Sequence, residues 1–412
     1  MNLMPDLQTD RNVYILGAGF SSDANAPLLY DFLDRSRELV DNPASGLDDS
    51  EREEFRTVFE FRRKMAQARE KVKIDLDNIE QLFGLVEMQQ RLGHGNSDAR
   101  SATVYLIAKT LELMVSKNSA RPEIQFSANT KIPGSHEILE SYEIKTNTGF
   151  TPSKFSLDVY DFFAMLIGGK FDSRDRREHR KDTVITFNYD LVLDHALMRA
   201  GIPISYHLPQ QYVSPPAACN TDGFSLLKLH GSTNWGICSK CKKHISVSID
   251  KMTSSPAIFR AAECRECQTH EFQPMLVPPS WDKTEYQHLM RPIWNQAVIE
   301  LQRATRICII GYSLPESDAY FKYLLTLGLS ENHGLYKFIV VDLAQLRSVA
   351  WSSAEEMPLL QKAKTLRERY EELLEDLFKE RRFAFHPEGF WQWTASGWIF
   401  RELGRGELIV NG

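Results

Sequence analysis

The chain has 412 residues, more than one hydrophobic core commonly supports, so two or three packed units are expected. Hydrophobic residues make up 42% and charged residues 25%, an ordinary soluble balance, and the net charge of −6 excludes an overall pull toward nucleic acid or an anionic membrane. The first apolar run, Val13 to Phe20, is broken by glycine and too short for a signal peptide or a membrane span, which leads to the expectation of a cytoplasmic, reducing location.

Asn12 to Leu16 reads as a short buried strand, followed at once by Gly17-Ala18-Gly19 and by helical sequence from about Leu28. Helical periodicity dominates residues 35–180. Val104, Ile107, Leu111 and Met114 fall on one helix face, and a second helix is predicted over Phe155 to Ile167. Between them, Asn118 to Phe150 is polar and carries Pro122 and Pro133, the composition of a long irregular excursion. Arg174 to Lys181 reads as a solvated charged loop.

Strand-like sequence returns at Thr183–Phe187, Ser225–Leu229, Arg306–Ile310 and Lys337–Val341, with a helix over Leu191–Arg199. In the tail, Ala363, Leu366, Tyr370, Leu373 and Leu377 form a seam of three- and four-residue spacing, read as a helix lying on the main body rather than an oligomer contact. The strands end in Gly17-Ala18-Gly19, Asn188-Tyr189-Asp190, His230-Gly231-Ser232, Gly311-Tyr312-Ser313 and Asp342. Ligands of open parallel sheets sit at such carboxyl ends. Gly17 and Gly19 would let the backbone approach a pyrophosphate, with a helix N-terminus behind them. Ser22 replaces the third glycine of the dinucleotide fingerprint, and no acidic residue ends a second strand about 20 residues on.

The chain has 6 cysteines, four of them in two Cys-x-x-Cys pairs. Cys238 and Cys241 with Cys264 and Cys267 have the spacing of two knuckles that meet as a four-thiolate zinc site. Four protein ligands leave no open position, so the zinc is expected to be structural. His244 and His270 are alternative ligands, whereas Cys219 and Cys308 read as free thiols.

Taken in order, these strand-end motifs resemble the sirtuin superfamily. Ile15-Leu16-Gly17-Ala18-Gly19-Phe20-Ser21 looks like its first NAD motif. Thr186-Phe187-Asn188-Tyr189-Asp190 stands in place of its Gln-Asn-Ile-Asp stretch. Leu229-His230-Gly231 is similar to the motif with the catalytic histidine, and Ile310-Gly311-Tyr312-Ser313-Leu314 to its Gly-Thr-Ser-Leu turn. Val340-Val341-Asp342 falls where the family contacts the adenosine ribose. The resemblance implies an α/β fold: a Rossmann-like parallel sheet over residues 12–34 and 181–345, a helical insertion at 35–180, a zinc module at 236–275 and a helical tail at 346–412.

It also implies site roles. Asn188 would hold the ribose or a water, and His230 would act as base. Asp190 would take the nicotinamide amide, and Gly17, Ala18, Gly19, Ser21, Gly311 and Ser313 the pyrophosphate and ribose, with Asp342 on the adenosine ribose. Asn188 and Asp190 are also good helix caps, and Asp342 a good turn former.

Two departures stand out. Leu28-Leu29-Tyr30 follows Ala26-Pro27 where the deacylases have Asp-Phe-Arg, and Met275-Leu276-Val277-Pro278-Pro279-Ser280-Trp281 stands where they have a Phe-Gly-Glu peptide motif. The pattern resembles the sirtuin-like NAD hydrolases of bacterial anti-phage defence. The expectation is NAD as substrate and cleavage to nicotinamide and ADP-ribose in a homo-oligomer. Some relatives act beside a partner such as a DNA-translocase-type ATPase or an Argonaute-like protein. Direct contact with nucleic acid or membrane is not expected. The alternatives are an NAD-dependent deacylase and a non-catalytic NAD or ADP-ribose sensor.

Overall fold

The computed structural model describes residues 10–67, 72, 74–93, 97–116, 121–127, 154–171, 181–209, 223–241, 244–246, 264, 266–269, 272–277, 287–314, 319–342 and 366–403. Residues Pro278–Trp281, Cys219, His270 and most of the basic run from Arg174 lie outside them.

Strand β1 (Asn12–Leu16) is buried along its whole length, so its sequence is a continuous apolar run rather than an alternation. The same holds for β4 (Thr183–Thr186) and β10 (Arg306–Ile310), and nearly so for β11 (Lys337–Val341). With β5 (Ile204–Ser205), β6 (Phe224–Lys228) and β12 (Phe383–His386), they form a seven-stranded sheet in the order β12-β11-β10-β1-β4-β6-β5. Every pairing in it is parallel. From β1 the chain moves to β4 on one side, then returns from β6 to β10 on the other side. The carboxyl ends of β1 and β10 therefore flank the switch point, where such sheets bind ligands.

The tail was expected to be helical, and β12 corrects this: four residues of the tail pair with β11 as the edge strand. Phe383-Ala384-Phe385-His386 carries neither a clean apolar–polar alternation nor a β-branched run to mark it as a strand. Of the seam residues, Leu366 and Tyr370 are buried in the main core and Leu373 and Leu377, partly buried, pack against it, so this part of the tail does lie on the body; Ala363 is outside the described residues.

A second core belongs to four helices, α1 (Phe32–Asp41), α2 (Asp49–Ala66), α3 (Ile79–Arg91) and α4 (Ser97–Ser116). Val104, Ile107, Leu111 and Met114 on α4 are all buried, as their spacing implies. Asp48 and Glu51 form a reciprocal capping box at the start of α2. Burial raises the Glu51 carboxyl, but the Tyr105 hydroxyl, the Asp48 N–H and Lys109 outweigh it and leave the pKa lowered.

The helix predicted over Phe155–Ile167 is half strand. β3 (Lys154–Asp158) pairs antiparallel with β2 (Glu123–Ser127), and α5 (Val159–Ile167) begins only after Asp158, whose side chain accepts the Tyr160 N–H. Helix α5 joins the main core, not the helical layer. No helix among the described residues is long and apolar enough to cross a membrane.

The start of the first helix also differs from expectation. A 3-10 helix, Ala18–Ala24, follows β1 directly, and the α-helical sequence begins at Phe32. Ser22, in place of the third glycine, donates its hydroxyl to the Gly19 carbonyl at 2.9 Å and tightens this turn. Phe20 anchors it in an aromatic cluster with Tyr160, Phe163 and Phe390.

Gly311 has φ +64, and a Cβ there would lie 2.2 Å from the Phe20 nitrogen. Gly311→Ala is expected to lower the thermal midpoint by several degrees or abolish soluble folding; a melting curve matching the parent's would refute the contact.

Candidate active site

The switch-point turns touch backbone to backbone. The Gly17 N–H donates to the Ile310 carbonyl at 3.0 Å and the Gly19 N–H to the Gly311 carbonyl at 2.8 Å. The Phe20 N–H reaches the Gly17 carbonyl at 3.0 Å. A Cβ on Gly17 would lie 2.5 Å from the Gly311 oxygen and 2.7 Å from the Tyr312 Cα. The missing side chain of Gly17 is thus required by the neighbouring turn, and three of the turn's N–H groups are engaged by protein carbonyls. Ala18, the first residue of the 3-10 helix, has an N–H without a partner inside that helix.

A cavity of about 260 Å³ opens above these turns. Gly17, Ala18 and Gly19 line it together with Asn188 and Asp190. His230, Gly311, Ser313 and Asp342 complete the strand-end side. Of the nucleotide-site residues inferred from sequence, only Ser21 is not in the wall; it is buried behind it, where its hydroxyl accepts from the Asn188 Nδ2 at 3.2 Å. Leu28, Leu29 and Tyr30 also line the cavity.

Asn188 uses its amide nitrogen structurally, donating to the Gly17 carbonyl at 2.9 Å as well as to Ser21. The group it can present to a ligand is Oδ1, an acceptor suited to a hydroxyl or a water. Asp190 has a structural partner as well as a place in the wall: its Oδ1 accepts the Val192 N–H at 3.0 Å, and it stands one residue before Leu191, the N-cap of helix α6 (Val192–Arg199). Burial raises its carboxyl pKa, with Asp194 adding to the rise and Lys228, the Val192 N–H and the Ser21 hydroxyl opposing it.

The His230 ring is 3% exposed and meets Phe187 edge-on at 5.1 Å. Its carbonyl accepts the Val277 N–H at 2.8 Å, and Gly231 follows with φ +85, where a Cβ would lie 2.1 Å from the Met275 oxygen. Gly231 is therefore where the backbone of β9 (Phe272–Leu276) comes closest, as the antiparallel partner of the strand that starts there, with Leu276 opposite Gly231.

Three features escaped the sequence reading. The helical layer supplies the opposite wall, with Ile79, Glu80 and Phe83 from α3 and Ile107 and Leu111 from α4; their apolar spacing marks a buried face without saying what it faces. The tail contacts several of the strand-end turns. The third feature is a buried polar network under the site. Lys228 is 1% exposed and donates to the Asp190 carbonyl at 2.6 Å and to Asp194 at 3.1 Å. Tyr206 donates to the other Asp194 oxygen at 2.5 Å, and Asn234 donates to the Tyr206 hydroxyl. Burial and the Asp194 charge push the Tyr206 phenol well above its ordinary range. The signal was a lysine inside an apolar strand, Leu226-Leu227-Lys228-Leu229, which needs a buried partner.

The cysteine cluster is separate from the cavity. β7 (Gly231–Cys238) runs from the histidine motif to the first cysteine, up to roughly 25 Å at about 3.3 Å per residue. The four Sγ atoms lie within 4.8 Å of one another. The Cys238–Cys267 and Cys241–Cys264 separations of 3.5 and 3.4 Å are too long for disulfides, which need about 2.05 Å, and close to the roughly 3.8 Å edge of a tetrahedral zinc–thiolate site. Burial raises the Cys238 thiol, but the N–H groups of Cys241 and Lys240 outweigh it and bring it down to about 7. Such a donor set fits a closed, structural metal site. β8 (His244–Ser246) pairs with β7 at this end.

Residues 182–365 match the SIR2-like domain family. The match begins at β4, so β1 and its glycine turn lie outside it while pairing with two strands inside it. No curated relative matches in sequence. Among solved structures, a Sir2 complex with an inhibitor, 2'-O-acetyl-ADP-ribose and a deacetylated peptide is 11% identical over 96% of this chain and 94% of that one, with a TM-score of 0.36. A mutant Sir2 homologue in complex with ADP-ribose is 14% identical over 88% and 94%, with a TM-score of 0.34.

Two outcomes test this geometry. Metal analysis of purified protein is expected to find about one zinc per chain, lost with a lowered melting temperature in Cys264→Ser; a metal-free wild type with an unchanged melt would refute the site. Lys228→Met leaves Asp194 buried without its cation and is expected to cost about 3–5 kcal/mol in urea unfolding. A cost below about 1 kcal/mol would mean that the pair is not formed.

Proposed function

We propose that this SIR2-like protein is an NAD glycohydrolase, cleaving NAD to nicotinamide and ADP-ribose. The observation that carries the reading is a cavity at the switch point in which Asn188, Asp190 and His230 share a wall with the glycine turn, Ser313 and Asp342. The nicotinamide–ribose bond has a cationic leaving group, so little general acid is needed. The C1'–N bond breaks with its electron pair leaving on the nicotinamide nitrogen, and water oxygen bonds to C1'. The water's proton passes to His230, whose imidazole can accept it.

In this scheme Asn188 Oδ1 orients the water or a ribose hydroxyl, and Asp190 receives the carboxamide. Ala18 and Ser313 face the pyrophosphate and ribose, and Asp342 the adenosine ribose. The apolar wall of Ile79, Phe83, Ile107 and Leu111 limits access of bulk water to the developing cation. The second part of the proposal, a gated NAD-depleting role in anti-phage defence as a homo-oligomer or beside a partner ATPase, rests on the motif resemblance.

Product analysis separates the readings. Wild type incubated with NAD is expected to release nicotinamide and ADP-ribose, with Asn188→Ala and His230→Ala slowed about 100-fold or more. Acyl-ADP-ribose appearing only with an acylated peptide would replace hydrolysis by deacylation. Tight NAD binding without turnover, unchanged in function by His230→Ala, would replace it by sensing.

A further inference from the structure

The tail, outside the matched SIR2-like segment, bonds to the loops of the cavity from the side of β11. The Tyr370 hydroxyl, fully buried, donates to the Tyr312 carbonyl at 2.7 Å. The Arg369 guanidinium donates to the Ser313 carbonyl at 3.4 Å. One residue beyond β11, the Asp342 N–H donates to the His386 carbonyl at the end of β12, at 3.1 Å. On the β1 loop, Phe390 from helix α10 (Gly389–Ala395) packs on Phe20 with ring centroids 4.6 Å apart. The strand-end loops after β1, β10 and β11, neighbours in the sheet, are each held by residues between Arg369 and Phe390.

We infer that the tail is part of the nucleotide-binding apparatus, and that Tyr370 is a positioning residue that holds the Gly311–Ser313 turn for the adenosine-diphosphate half of the ligand. This rests on the reading of the cavity as a dinucleotide site. The Gly311 turn has a left-handed residue at its first position and touches the glycine turn of β1, so its placement sets both walls. A hydroxyl bonded to the Tyr312 carbonyl fixes that turn from behind, without touching the ligand. Burial, with the Asp342 charge adding to it, pushes the Tyr370 phenol well above its ordinary range, so the hydroxyl keeps its proton and stays a donor at any working pH.

The test uses ADP-ribose, which binds without turnover, and the full chain. In calorimetric titration Tyr370→Phe is expected to weaken ADP-ribose binding about 5- to 20-fold, and in kinetics to raise KM for NAD by a similar factor with kcat changed less than two-fold. Tyr336→Phe, which removes a hydroxyl at the opposite end of β11, is expected to bind as wild type. Hydrogen exchange on wild type supplies a readout independent of any variant: ADP-ribose should slow exchange in residues 311–314 and also in 366–374. Unchanged affinity in Tyr370→Phe, or protection confined to 311–314, would overturn the inference while leaving the nucleotide site in place. Wild type that binds neither NAD nor ADP-ribose would instead overturn the reading of the cavity, and this inference with it.

Discussion

The contact on which the rest of the structure depends is the backbone-to-backbone seat of the β1 turn on the β10 turn. No side chain fits between Gly17 and Gly311, and each turn fills the space that a Cβ on the other would need. Both sides of the sheet converge there: β4 and β6 on one flank, β11 and β12 on the other. The cavity is the space left above that seat. Its floor is rigid because it is made of main chain already hydrogen-bonded to main chain, which suits a site that must hold charge in place without reorganising.

Around this floor the protein places polar groups that already have structural partners. Asn188 ties itself to Gly17, Asp190 accepts the first N–H of a helix, and Lys228 donates to the Asp190 carbonyl. The metal cluster acts at a distance, through β7, whose first residue follows the histidine and whose last is a cysteine. Closing the cluster fixes one end of the strand that carries His230 at the other.

Much of the sheet was legible because fully buried parallel strands leave continuous apolar runs, and β1, β10 and β11 fall where those runs fall. The strand-end residues were legible because such ends concentrate ligand contacts. What sequence missed was a further reason for Gly17, its close approach to the turn after β10. The β2–β3 pair was hidden because Phe155 to Ile167 is largely apolar, and of its polar residues Ser156, Asp158 and Asp161 only Asp158 marks the change by capping the helix. The helical wall and the tail contacts were beyond reach, since apolar faces record burial and not the identity of the partner.

The central strand also imposes an order on assembly. Arg306 pairs with Asn12, a strand formed almost three hundred residues earlier. At roughly 5–20 residues per second, synthesis leaves the Val13–Leu16 stretch without one of its two flanking strands for roughly 15–60 s. During that interval an apolar strand with an open edge is a template for any other chain. The segment spanning residues 182–365 has the complementary problem: produced alone, it would place β4 and β10 on either side of a missing strand. The unit that folds is thus larger than the unit that is recognised, and its first strand completes the sheet only when its last third has been made.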